Sequence, residues 1–185
     1  MKIYLDAGHN PTNPNAGAEG NGYREQDLVY EIARQTAVIL RQNGLEVRLS
    51  RPTPQTQLGT SNASSLAARV NDANAWGADY FISLHTNAST ITSASGSEAF
   101  VYTEASRAYP LAQNILTQLN AATGLPNRGV SVRTNLYVLR RTRMPATLVE
   151  LGFISNPADA DLMANQPQLF ARGVANGVLA YLGEL

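Results

Sequence analysis

The chain contains two histidines, and each follows a short apolar run that gives way to a polar loop. His9 comes after the run Ile3-Tyr4-Leu5, and His85 comes directly after the run 80–84. Histidine is the side chain that most often ligates metal ions in proteins. Two histidines in equivalent places indicate a metal site, with ordinary hydrogen-bonded roles as the alternative.

A catalytic zinc site needs three protein ligands and one open position, and two histidines plus a carboxylate form a known ligand set. The chain has no cysteine, so the third ligand must be a carboxylate. The polar loop after His9 leads to three candidates, which are Glu19, Glu25 and Asp27. We favour Glu25, because the first turn of a predicted helix would hold its side chain rigidly while it still faces the loop.

Glu150 is the carboxylate with the most unusual setting. It follows the apolar run 146–149 and precedes a second apolar run, so we expect it to be partly desolvated. A buried carboxylate without a partner is costly, or it takes up a proton. A metal-bound water nearby would remove this conflict. Pairing with one of the nearby arginines is the alternative.

The composition limits the other functions. With 185 residues, 44% hydrophobic and 15% charged, the chain is long enough for one domain with a full core. The formal net charge of zero argues against nucleic-acid binding and against a polybasic membrane surface. No apolar run approaches the ~20 residues of a membrane span, and the N-terminus leads into a strand instead of a signal sequence. We expect a monomer.

Apolar patterning predicts strands that alternate with helices. The predicted strands cover residues 2–6, 45–50, 80–85, 98–102, 136–139 and 146–151, and the predicted helices cover 25–43, 61–76, 106–123 and the region after Asn156-Pro157. This alternation predicts a single α/β domain with a mainly parallel, twisted sheet of about six strands and helices on both faces. Ligands gather at the carboxyl ends of such strands, where both histidines and Glu150 fall.

Between Glu104 and Glu150 the chain has no acidic residue but six arginines, namely Arg107, Arg128, Arg133, Arg140, Arg141 and Arg143. These arginines could form a solvated face. They could also form a rim that binds the carboxylates of a substrate, since arginine offers a rigid bidentate fork.

Several segments taken together resemble the zinc-dependent N-acetylmuramoyl-L-alanine amidases of the cell-wall hydrolase type, the amidase_3 family. The matching segments, in chain order, are 5–9 (LDAGH), 25–28 (EQDL), 66–69 (LAAR) with 73–74, 81–88 (FISLHTNA), 96–98 (GSE), 128–130 (RGV), 138–140 (VLR) and 144–156 (MPATLVELGFISN). Each segment alone is weak evidence. All of them in this order, with both histidines included, make a specific match. Together they span nearly the whole chain.

The resemblance implies that residues 1–185 form one catalytic domain that binds one Zn²⁺ per chain through His9, Glu25 and His85. Glu150 would be the catalytic carboxylate. The substrate would be peptidoglycan, cut at the amide between N-acetylmuramic acid and the L-alanine of the stem peptide. Such an enzyme acts on the cell wall, and without a signal peptide we expect an excised catalytic domain or a phage-type lysin.

Other site residues are open at this stage. Asn87 and Arg140 are candidates for a second donor to the tetrahedral oxyanion, and hence for substrate binding. Asp6 and Glu98 are candidates for fixing the ring orientation of the ligating histidines.

The sequence departs from the family pattern in two places. Asn10-Pro11 replaces the usual Gly-Gly after the first histidine, which could alter the rim of the site. The turn 89–95 is short where regulated members carry an inhibitory helix, so we expect a constitutively open site.

Two other functions stay open. One is zinc hydrolysis of a different peptidoglycan amide, since the chemistry of all amides is alike. The other is a non-catalytic wall-binding module with a structural metal, which is disfavoured because structural zinc sites use four protein ligands.

Overall fold

The sheet has six strands, and helices cover both of its faces. A computed structural model describes residues 1–185. In chain order the elements are β1 (Lys2–Ala7), β2 (Glu19–Gly20), β3 (Tyr23–Arg24), α1 (Glu25–Gln42), β4 (Glu46–Leu49), α2 (Asn62–Trp76), β5 (Tyr80–Asn87), β6 (Ser97–Val101), α3 (Ala108–Thr123), β7 (Asn127–Val132), α4 (Tyr137–Arg141), β8 (Ala146–Phe153), α5 (Pro157–Asn165) and α6 (Pro167–Leu182).

The strand order is β4-β1-β5-β8-β6-β7, and β2 and β3 form a separate small hairpin. The first four strands of this order run parallel, and β6 pairs antiparallel with β8. The carboxyl ends of β1, β5 and β8 therefore meet at one edge, and the start of β6 lies beside the end of β8. This arrangement brings the segments that follow β1, β5 and β8 together.

Side chains alternate between the two faces of the central strands. Leu5, Ile82 and Val149 pack against α1, α3 and α6 in the larger apolar core. Phe81 and Leu148 pack on the opposite face, in a smaller core with α2 and α4. By the same alternation, residues 85 and 150, which are paired in register, face the side of α2 and α4.

The structure confirms the predicted single α/β domain with its mostly parallel sheet. The predicted strand at 136–139 is wrong, because these residues enter the helix α4, where the N–H of Arg140 donates to the carbonyl of Leu136. So short an apolar run fits a buried strand or one helical turn equally well. The sixth strand is instead β7, which contains Gly129 in a left-handed conformation and shows little apolar alternation.

None of the helices combines the length and apolar character that crossing a membrane would require.

Candidate metal centre

His9, Glu25 and His85 form the one cluster of potential metal ligands in the structure. The Nε2 of His9 lies 3.2 Å from Oε2 of Glu25, and the Nδ1 of His85 lies 3.1 Å from Oε1. One ligand atom from each residue lies within 4.8 Å of the others. Ligands at ~2.1 Å from a tetrahedral ion are about 3.4 Å apart, so this cluster fits zinc with a position left over.

The end of β1 approaches the His85 ring closely, and only glycine permits the approach. A Cβ on Gly8 would lie 2.5 Å from Cε1 of His85 and 2.7 Å from the carbonyl oxygen of Leu84. The Gly8 N–H donates to that same carbonyl at 3.0 Å. The next residue, His9, has a φ of 63°, a left-handed conformation that directs the chain away from the sheet.

Glu25 begins α1 and is buried, with backbone donors on both carboxylate oxygens. Oε1 accepts the N–H of Thr86 at 2.9 Å, and Oε2 accepts the N–H of Ala18 at 2.9 Å. Burial acts to raise the pKa of Glu25, but hydrogen bonds to His85 and His9 outweigh it and hold the pKa well below its usual range. The carboxylate is therefore ionised and rigid, as a metal ligand must be.

Of the three carboxylates predicted as candidates for the third ligand, the structure brings only Glu25 to the histidines. Glu19 and Asp27 are exposed and lie near Arg24, at 3.7 Å and 3.4 Å. Glu19 thus lies on the surface of the β2–β3 hairpin, and Asp27 lies on the surface of α1.

Glu150 is paired in register with His85, on the neighbouring strand. Its Oε2 is buried without a hydrogen-bond partner, and no arginine forms an ion pair with it. Burial, then the negative charges of Glu25 and Glu98, raise the pKa of Glu150 to about 8. A cation at the ligand cluster would counter this effect, because it favours the ionised form.

Asn87 stands beside this carboxylate, but its amide is already engaged. Its Nδ2 donates to Oε1 of Glu98 at 2.5 Å, and Glu98 lies opposite Glu150 in the β6–β8 register. Asn87 is therefore held against Glu98 through one amide N–H, and its second N–H forms no hydrogen bond within the protein.

The structure does not bring Arg140 to the cluster. Its side chain is exposed on α4 and lines a separate pocket with Tyr102 and Pro145, at the start of β8. Glu150 lies further along β8, towards the opposite edge of the sheet. The six arginines between Glu104 and Glu150 form no ion pair with any carboxylate, so both interpretations of that segment stay open.

The two residues predicted to orient the histidine rings contact neither ring by a hydrogen bond. Asp6 pairs with Arg69 and Ser83, and Glu98 pairs with Asn87. His9 is held instead through its backbone carbonyl, which accepts hydrogen bonds from the buried guanidinium groups of Arg51 and Arg69. Sequence reasoning missed both arginines, although Arg69 belongs to the matched segment 66–69.

Asn10, the first of the two departures after His9, is fully buried. Its Nδ2 donates to the carbonyls of Pro14 and Leu58, and its Oδ1 accepts the N–H of Leu58 at 3.1 Å. The substitution therefore ties the loop after His9 to the loop before α2.

A cavity of about 140 Å³ lies beside the two histidines, between α2 and α4. Its walls are mainly apolar and include Leu66, Tyr137 and Leu148. An apolar cavity next to a metal cluster and a buried carboxylate suits a substrate group adjacent to the reacting bond. Residues 88–96, where the short turn was predicted, contain no helix.

Comparisons with known proteins agree with this geometry. A family model described as N-acetylmuramoyl-L-alanine amidase, Amidase_3, matches residues 3–180. A sporulation-specific N-acetylmuramoyl-L-alanine amidase of Bacillus subtilis (strain 168) is 36% identical over 183 residues, which cover 96% of this chain and 67% of that protein.

Two solved structures have the same fold throughout. The catalytic domain of CwlV, an N-acetylmuramoyl-L-alanine amidase from Bacillus (Paenibacillus) polymyxa var. colistinus, aligns with a TM-score of 0.86 and 32% identity, covering 100% of this chain and 99% of that one. An N-acetylmuramoyl-L-alanine amidase from Clostridium difficile 630 aligns with a TM-score of 0.87 and 30% identity, covering 99% and 97%. The chain belongs to the Amidase_3 family of N-acetylmuramoyl-L-alanine amidases.

Proposed function

We propose that this chain is a catalytic domain that hydrolyses the amide between N-acetylmuramic acid and L-alanine in peptidoglycan. The observation that carries the proposal is the joining of two histidines and Glu25 in one cluster beside Glu150, a half-buried residue whose Oε2 is buried without a partner. Membership of the family supports the substrate class, which is the wall polymer. The protein would act at the cell wall, through a site that no inhibitory helix covers.

His9, Glu25 and His85 would hold the metal, and their donor set fits zinc. Two imidazole nitrogens and one carboxylate are borderline to hard ligands, and no thiolate is present. When bound, zinc supplies Lewis-acid polarisation of a carbonyl and makes a water molecule more acidic.

Glu150 would carry the proton transfers. As a general base it takes a proton from the attacking water, and as a general acid it returns that proton to the leaving nitrogen of L-alanine. Burial raises the pKa of Glu150 to about 8 in the metal-free protein, and a cation at the ligand cluster would lower this pKa towards the range in which the carboxylate can act as a base.

The apolar cavity would orient the substrate. Its walls of Leu66, Tyr137 and Leu148 exclude water from one side of the cluster. A small apolar group next to the scissile amide could enter there, which would leave the amide facing Glu150.

Two variants test the assignment of roles. Glu150→Gln should reduce hydrolysis of purified peptidoglycan by about 10²-fold to 10⁴-fold, the usual contribution of general acid–base catalysis, while zinc stays near one per chain. Glu25→Ala should lose both zinc and activity. Glu19→Ala is the matched control, because Glu19 is an exposed carboxylate of the same segment.

Zinc content by mass spectrometry and release of soluble wall fragments provide the two measurements. A fully active Glu150→Gln variant would contradict the assignment of proton transfer to Glu150. Unchanged zinc in Glu25→Ala would remove the ligand assignment.

A further inference from the structure

Two arginine side chains are buried next to the candidate metal centre. Arg51 is 0% exposed and Arg69 is 1% exposed, and both are among the largest fully buried side chains of the protein. Buried charges are costly unless they are paired and hydrogen-bonded. Only one carboxylate, that of Asp6, forms an ion pair with either arginine. The burial of the guanidinium N–H groups that do not contact Asp6 therefore needs another explanation.

Arg69 connects the end of β1 to the His9 backbone. Its Nη1 donates to Oδ1 of Asp6 at 2.5 Å and to the carbonyl of Ala7 at 2.8 Å. Its Nη2 donates to the carbonyl of His9 at 2.5 Å. One planar fork thus spans the four residues from Asp6 to His9.

Arg51 reaches the same carbonyl from another side. Its Nη1 donates to the His9 carbonyl at 3.1 Å, and its Nη2 donates to the carbonyl of Gln26 at 3.1 Å. Gln26 follows Glu25 directly on α1. The His9 carbonyl is therefore shared by two guanidinium groups, one tied to β1 and one tied to the helix that carries Glu25.

His85 is linked to the same network through Asp6. Its Oδ2 accepts the hydroxyl of Ser83 at 2.7 Å, two residues before His85 on β5. Asp6 thus lies between Arg69 and the strand that carries the second histidine. Burial acts to raise the pKa of Asp6, but Arg69 and Ser83 hold it below its usual range, so the carboxylate stays charged.

His9 needs such a restraint because of its backbone. Its φ of 63° lies in the left-handed region, which residues other than glycine populate sparsely. In this conformation the carbonyl points to the two arginines, while the ring faces Glu25 with Nε2 at 3.2 Å. The Nδ1 of the ring is buried without a partner, so no side-chain contact at that atom orients the ring.

We infer that Arg69, together with Arg51, is a positioning residue that holds His9 in its left-handed conformation and thereby sets the affinity of the site for zinc. The inference rests on the proposed zinc site. It differs from the ordinary role of a hydrogen bond to a ligand's ring, since the restraint acts through the backbone carbonyl. A competing role for Arg69 is simple neutralisation of the buried Asp6.

The two roles are separated by removing both charges. Arg69→Met alone leaves Asp6 buried without a partner and should destabilise the fold. The double variant Asp6→Asn with Arg69→Met has no buried charge at this position, so folding should recover. The donor to the His9 carbonyl is still missing in the double variant.

Zinc affinity is measured by competition with a chromophoric chelator, and the geometry of the site by the absorption spectrum of the cobalt-loaded protein. We expect the folded double variant to bind zinc about 10-fold to 100-fold more weakly than the wild type, the range seen when residues behind metal ligands are changed. Its cobalt bands should shift. Wild-type affinity and an unchanged spectrum would overturn the inference and assign Arg69 to charge neutralisation.

Arg69→Lys provides a second test that does not depend on recovery of the double variant. It keeps the positive charge beside Asp6, but one ammonium group lacks the fork that joins Asp6, Ala7 and His9. The variant should fold and bind zinc more weakly, and wild-type affinity would again contradict the inference.

The control is Arg48→Met. It breaks an exposed ion pair between Arg48 on β4 and Asp72 on α2, the helix that also carries Arg69. It should keep the wild-type affinity for zinc. If the wild-type protein itself failed to bind zinc, the proposed function would fail, and that result is distinct from a failure of the inference.

Discussion

Replacing Glu150 by glutamine should change how the stability of the metal-free protein depends on pH. Burial, with the charges of Glu25 and Glu98, raises the pKa of Glu150 from its ordinary value of 4.5 to about 8 in the folded state. The folded protein therefore binds one more proton than the unfolded chain between these values. Its stability contribution is complete below pH 4.5 and is lost as the pH rises through about 8. Glutamine has no proton to lose.

The size of the effect follows from the two pKa values. At ~1.4 kcal/mol per pH unit, the interval from 4.5 to about 8 corresponds to about 5 kcal/mol in total. Between pH 4.5 and pH 7 the wild type should lose about 3 kcal/mol of this contribution. Since glutamine does not titrate, the free energy of unfolding of Glu150→Gln minus that of the wild type should increase by the same amount.

Urea unfolding in the presence of a chelator, at several pH values, measures this difference. The metal must be removed, because a divalent cation near Glu150 would favour the ionised carboxylate. Glu46→Gln is the control, since Glu46 is exposed on the edge strand β4 and its variant should follow the wild type within about 0.5 kcal/mol. If the curves of Glu150→Gln and the wild type stayed parallel from pH 4.5 to 8, Glu150 would not be desolvated and its assigned role would lose its physical basis.

Three further changes test the support of the site. Gly8→Ala should weaken zinc binding in chelator competition, because the added Cβ would meet the His85 ring at 2.5 Å; unchanged affinity would show that the ring can move freely. Leu84→Ala should lower the free energy of unfolding by about 2–5 kcal/mol in urea and also weaken zinc binding, because Leu84 is fully buried in the larger core and precedes His85 directly on β5. Arg133→Glu should raise KM for wall fragments with free stem-peptide carboxylates, and an unchanged KM would favour a solvated arginine face.

The clustering of the two histidines was predictable because a rare residue type falls at two strand ends. His9 and His85 stand out by scarcity, and the period of the flanking apolar runs places both at the carboxyl edge of a parallel sheet. Glu25 was favoured over Glu19 and Asp27 because of its place in the first turn of a predicted helix, and the structure brings it alone to the two histidines.

Other features could not be read from local patterns. The run 136–139 becomes a helical turn because α4 packs on α2 and β8, a tertiary effect that a short apolar segment does not encode. Arginine is usually exposed, so the sequence does not predict the burial of Arg51 and Arg69. Their guanidinium groups are buried because the fold brings several backbone carbonyls together around them. The left-handed backbone of His9 likewise could not be predicted, because only a small minority of residues other than glycine adopt that conformation.

Product analysis tests the central proposal most directly. Purified peptidoglycan is incubated with chelator-treated protein, with and without added zinc, and the new amino termini on released peptides are identified by mass spectrometry. The account predicts L-alanine amino termini that form only when zinc is restored. Termini of another residue, release of acetate, or cleavage that does not depend on zinc would contradict it.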